Sequence, residues 1–159
     1  MTMKISYFTL FLFLLTLSSC LDLDEEPVIM IYPAADISAH VKDQKIFATS
    51  LISVNPDIQV AGNVAVLFDY SGELAIYNSY NGTIIDVSSI SGGGLSQTYT
   101  VSADTTGHER FVVIANGTVK AYSDLDKDGQ IHSGNIISEG QFYQESQFIV
   151  SELVSEPIN

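Results

Sequence analysis

From residue 28 onward, no window spaces apolar residues as an amphipathic helix of three turns requires. What recurs instead are short runs rich in Val, Ile, Phe, Tyr and Thr, each closed by Gly, Asn, Asp or Ser. Such runs suit a pleated, half-buried surface on which β-branched and aromatic side chains pack against same-face neighbours. One run extends from Asn63 to Tyr70 and ends at the turn Ser71-Gly72. Another, Gly82 to Val87, follows a turn at Tyr80-Asn81. Gln97 to Ser102 alternates, with Tyr99 and Val101 on one face. Phe111 to Ile114 and Val119 to Tyr122 flank Asn116-Gly117, a two-residue hairpin signal. Ile46 to Val54 and Gln147 to Val154 supply further strands at the two ends, and Ser91-Gly92-Gly93-Gly94 reads as a flexible loop. Many short strands with small-residue punctuation predict an all-β fold, an antiparallel β-sandwich.

The first nineteen residues differ in character. Lys4 is their only charged side chain, and Ile5 to Leu17 is mostly Leu, Phe and Ile. That run of about thirteen residues falls short of the roughly twenty that a bilayer-spanning helix needs. It reads as an N-terminal secretory signal helix. Leu17-Ser18-Ser19-Cys20 closes the run and resembles a lipobox, the signal of bacterial lipoproteins. The resemblance implies cleavage before Cys20, a diacylated thiol and an acylated amino group. Two or more acyl chains hold a protein on a membrane where one is marginal. The same residues also read as an ordinary signal peptide with a cysteine close behind it, or as a buried helix. Cys20 is the only cysteine, so its modification leaves no thiol for an intramolecular disulfide.

Leu21 to Pro27 is acidic and resembles the segments that route lipoproteins to the cell surface in Bacteroidetes-type bacteria; it reads equally as a solvated linker. The expected address is the bacterial outer membrane or cell surface, with the membrane as partner through the lipid anchor. The chain divides into a signal peptide at 1–19, a lipidated cysteine and tether at 20–33, and a sandwich domain at 34–159. About 140 residues beyond the signal suffice for a core without staples.

Charge narrows the partners. Six basic side chains stand against nineteen acidic ones, a net charge of −13. Such a surface repels nucleic acid and anionic headgroups and attracts cations. Nucleic-acid binding is excluded on this ground.

The acids are most ordered in Asp124-Leu125-Asp126-Lys127-Asp128-Gly129. A hard divalent cation takes six to eight oxygens at about 2.3–2.6 Å, and carboxylates at alternate positions of a curled loop can converge on it. Gly129 permits the sharp turn that aims the Gln130 carbonyl at the same point, and Ile131 is the apolar anchor. The expected metal is calcium, on Asp124, Asp126, Asp128, Gln130 and Asn135. At the twelfth loop position an EF-hand offers a bidentate Glu, whereas this chain has Asn135, which lowers affinity towards about 10⁻⁴–10⁻³ M. Glu139 is a substitute if the backbone doubles back, and His132 reads as a solvent-facing loop residue. The competing reading is a solvated hairpin connection, because Asp-Gly is itself a turn signal.

With its flanks, Ala121 to Gly129 resembles the calcium loops of bacterial surface β-sandwiches, the Sdr-type B domains and prealbumin-like modules. The resemblance covers about twenty residues, through Gly134. It implies an Ig-like or prealbumin-like sandwich acting as a rigid, non-catalytic module of an envelope or adhesive assembly. Strand residues before the loop, and Ser133-Gly134 after it, exclude a helical EF-hand pair.

No catalytic pattern emerges. His40, His108 and His132 are scattered without metal-ligand spacing, and Gly107-His108-Glu109-Arg110 lacks the second histidine of a zincin. There is neither a Gly-x-Ser-x-Gly elbow nor a P-loop. The expectation is a non-enzyme with a structural or adhesive role and an envelope-protein or glycan partner. A carbohydrate- or peptide-binding module of an uptake system is the alternative. Tyr70, Tyr77 and Tyr80 cluster near turns, where exposed aromatics form sugar platforms; packing in a core or at an edge is their other reading.

Overall fold

The computed structural model describes residues 28–59, 65–124, 127–132 and 135–154. The signal helix, Cys20, the acidic tether and Asp126 lie outside them. Among the described residues there are seven strands and no α-helix. They are β1 (Val28–Lys42), β2 (Lys45–Gln59), β3 (Ala65–Asn78), β4 (Ile84–Gly93), β5 (Ser96–Asp104), β6 (Arg110–Asp124) and β7 (Ile136–Ile149), with one 3-10 turn at Val150–Glu152. Every pairing is antiparallel. One sheet has the order β1-β2-β5 and the other β4-β3-β6-β7. The antiparallel β-sandwich expected from the strand runs is the fold. Its topology is Ig-like, except that β4 pairs with β3 instead of joining β5 in the first sheet.

Inward faces follow the two-residue period of a strand. Along β6, Phe111, Val113, Ala115, Val119 and Ala121 are buried, and they share one core with Ile46, Ala48, Ile52 and Val101 of the facing sheet. Each large apolar side chain buried this way contributes roughly 1.5–3 kcal/mol.

Four expectations change. The segment expected as tether, 20–33, loses its end to β1, which begins at Val28 and buries Ile29 and Ile31. Pro33 is tolerated because β1 is an edge strand. Gly140 of β7 makes room for it, since a Cβ there would stand 2.7 Å from the proline ring.

Asn116-Gly117 is not a hairpin turn, and Ser71-Gly72 does not end a strand. β6 and β3 run straight through both, with Gly117 paired to Gly72. A type I′ turn needs positive φ at both central residues, and neither Asn116 nor Gly117 has it. The glycines serve close approach instead: a Cβ on Gly117 would lie 2.3 Å from the Ser71 carbonyl oxygen and 2.7 Å from Phe142 Cζ. The inward parity of Val113 and Ala115 continues through Val119 and Ala121, so one strand satisfies both apolar runs.

Ser91–Gly93 completes β4 rather than forming a loop. Tyr99 Oη donates to the Ser91 carbonyl (2.9 Å) and Tyr70 Oη to the Gly94 carbonyl (2.8 Å), which pins the connection to β5.

Strand direction sorts the connections into two poles. The N-terminal pole carries the start of β1 and the connection from Asp124 to Ile136. The far pole carries the β1–β2 turn, the β3–β4 turn and the β5–β6 connection. The fifteen residues of β1 run between them, about 45–50 Å of extended chain.

Candidate functional site

At the N-terminal pole, β6 ends differently from its middle. Tyr122, Ser123 and Asp124 are all buried, so alternation stops where the strand becomes loop. The β6–β7 register shifts at Ala121/Tyr122, placing an extra residue on β7. A bulge of this kind bends the strand that carries the extra residue, here the start of β7 beside the end of β6.

Asp124 is 4 % exposed. Its Oδ1 accepts the Asp128 amide at 3.2 Å and its Oδ2 the Gly129 amide at 3.2 Å, so one carboxylate gathers the loop around itself. Lys127 (φ 57°) and Gly129 (φ 73°) supply the left-handed backbone that this curl needs. Asp128 Oδ1 accepts the Gln130 amide at 2.7 Å, and Oδ2 lies 3.3 Å from His132 Nε2. The neck is closed by Asn135, whose backbone carbonyl accepts from Ser123 N (3.0 Å) and whose Nδ2 donates to the Ser123 carbonyl (3.4 Å).

Of the expected ligands, Asp124 and Asp128 are brought to one loop with the Gln130 backbone and Asn135. Asp126 lies outside the described residues. Among those described, no three His, Cys, Asp or Glu side chains gather as a metal group. Glu139 stays in β7 opposite Lys120, so the chain does not double back to bring it to the loop. His132 is exposed, as the sequence suggests, although its ring faces Asp128.

The far pole holds a second feature. A cleft of about 880 Å³ is lined by Asn78, Ser79 and Tyr80 from the β3–β4 turn and by His108, Glu109 and Arg110 from the β5–β6 connection. Five hydrogen bonds lock the turn. Asn78 N donates to the Thr83 carbonyl (2.9 Å) and Gly82 N to the Asn78 carbonyl (2.9 Å). Tyr80 N donates to Asn78 Oδ1 (2.8 Å), and Thr83 donates to Asn81 Oδ1 through N (3.0 Å) and Oγ1 (2.7 Å).

The other wall is held as firmly. Thr105 N and Oγ1 both donate to the Gln44 carbonyl (2.8 and 2.7 Å), and His108 N donates to the Thr105 carbonyl (3.0 Å). Asn78 Nδ2 lies within hydrogen-bond distance of His108 Nδ1, at 3.3 Å, and this contact joins the walls.

The three tyrosines have separate fates. Tyr70 is buried and Tyr77 half-buried, whereas Tyr80 is 99 % exposed. Packing thus accounts for the first two and not for Tyr80. Burial pushes the Tyr70 phenol above its ordinary range, with Tyr99 adding to the rise; Tyr99 is raised chiefly by burial as well. Sequence reasoning passes over Arg110. The available signal was that it is the only arginine of the chain.

No family model and no curated protein sequence matches this chain. Among solved structures, it is similar to one described as "X-ray structure of Northeast Structural Genomics Consortium target SoR45". The identity is 14 %, the TM-score is 0.36, and the match covers 86 % of this chain and 96 % of that one.

Proposed function

We propose that this chain is a lipid-anchored protein of the bacterial cell envelope. Its β-sandwich is a rigid, non-catalytic module with a structural or adhesive role in a surface assembly, and its β6–β7 loop holds calcium. Cys20 carries the anchor. Asp124, Asp128, the Gln130 carbonyl and Asn135, together with Asp126, supply the all-oxygen donor set that calcium favours.

The observation that carries this reading is polarity. The chain enters β1 at the same pole that bears the acidic loop, with only Leu21 to Pro27 between Cys20 and the first strand. An acyl anchor there turns the opposite pole outward, about 45–50 Å of strand away. Membership of an assembly is supported by the outer face of the four-stranded sheet, which leaves Ile84, Val87 and Tyr143 exposed. Ile84 and Val87 lie on β4 and Tyr143 on β7, the two edges of this sheet, and apolar side chains exposed at sheet edges suit contact with a neighbouring subunit.

The test is fractionation of cells expressing the full chain or Cys20→Ser. The anchored reading expects the first in the membrane fraction, released only by detergent, and the second in the soluble fraction. Membrane retention of Cys20→Ser defeats it.

A further inference from the structure

We infer that the far-pole cleft is a binding site for a neutral saccharide. This goes beyond the structural role above and depends on neither the anchor nor the calcium loop.

Four observations converge on it. First, Tyr80 is 99 % exposed, although an aromatic side chain is among the strongest contributors when buried. Its ring is presented on a turn whose backbone is fixed by hydrogen bonds on both sides. With the backbone already fixed, only the two side-chain torsions of Tyr80 remain to be ordered when a ligand docks, a small cost for so large a contact area. The C–H face of a pyranose is the polar-rimmed, flat partner that such a plane suits.

Second, the lining supplies both kinds of hydrogen-bonding group. Arg110 only donates, Glu109 only accepts, and Asn78 does both. A sugar hydroxyl also does both, so adjacent hydroxyls can bridge Glu109 and Arg110. A phosphate or carboxylate only accepts, and it would meet Glu109 and the net charge of −13.

Third, Arg110 is the chain's single arginine and is exposed, with no ion pair among the described residues. None of the carboxylates among the described residues engages this fork. Fourth, the two walls are joined by the Asn78–His108 hydrogen bond, so the cleft is formed before any ligand arrives.

The experiment is saturation-transfer NMR on the full chain purified in detergent, with a panel of neutral oligosaccharides, uronic-acid oligosaccharides and short acidic peptides. The expected result is transfer to ring protons of at least one neutral oligosaccharide. Tyr80→Ala should weaken its binding about tenfold or more, Arg110→Gln by a smaller factor, and Tyr80→Phe should retain it. Melting temperatures of all three variants should match the parent. The inference is overturned if no neutral oligosaccharide binds, if Tyr80→Ala binds as well as the parent, or if only the acidic probes bind.

Discussion

The two poles of this sandwich use their polar side chains in opposite ways. At the N-terminal pole they turn inward: the Asp124 carboxylate is buried and gathers the amides of Asp128 and Gly129, and the Tyr70 hydroxyl is spent on the Gly94 carbonyl. At the far pole the backbone and short side chains do the holding, through Asn78, Asn81 and Thr105. Tyr80 and Arg110 are left facing outward. A loop closed around a carboxylate gains stability from that group. A turn closed by its own backbone can present larger groups that contribute nothing to holding it. The contrast predicts that substitutions at the first pole change stability and those at the second change recognition.

The largest effect belongs to calcium at the N-terminal pole. A ligand that binds only the folded state stabilises it by about 2.7 kcal/mol at a hundredfold excess over its dissociation constant. The full chain in millimolar calcium should melt several degrees above the same chain in EDTA, and Asp126→Ala should abolish the difference. Equal melting in both buffers would reduce the loop to a solvated turn, held by Asp124 alone.

How much of this was readable beforehand follows the range of the interactions. Parity along Phe111, Val113 and Ala115 announces a strand with one buried face, because that pattern is local. Asn116-Gly117 misleads because the group that decides its conformation, Gly72, lies on another strand. Asp124 was recognisable as an acid at a regular spacing, but spacing does not show that the loop curls back over it and leaves it 4 % exposed. The cleft was the least readable feature. It joins Asn78 to His108, thirty residues apart, and no spacing rule connects a β3–β4 turn to a β5–β6 connection.

A smaller effect tests the inward use of Tyr70. Tyr70→Phe removes the hydrogen bond to the Gly94 carbonyl while keeping the ring, and should cost about 1 kcal/mol in urea denaturation. It should also change the response to alkali. Burial raises the native Tyr70 phenol above the unfolded value, so the folded state retains its proton longer. The stability this contributes is complete below the ordinary phenol pKa of about 10 and is lost as pH rises through the raised native value. Tyr99 acts with the same sign. Between about pH 9 and 12 the parent should therefore lose stability more steeply than Tyr70→Phe. Parallel losses would mean that the buried hydroxyl is not what couples this pole to pH.

The smallest effect is the sharpest test of the contrast. Tyr80 is as large as Tyr70 and sits two residues beyond the end of the same strand, yet the two differ from 99 % to 1 % in exposure. Its amide holds the turn through Asn78 Oδ1, and that bond survives any change of side chain. Tyr80→Ala should therefore stay within about 0.5 kcal/mol of the parent in the same denaturation experiment, as surface substitutions do. A larger loss would show the ring packing against the sandwich, and the far pole would then resemble the N-terminal one. An unchanged midpoint leaves the exposed ring without a part in folding, which is the condition the saccharide proposal sets for it.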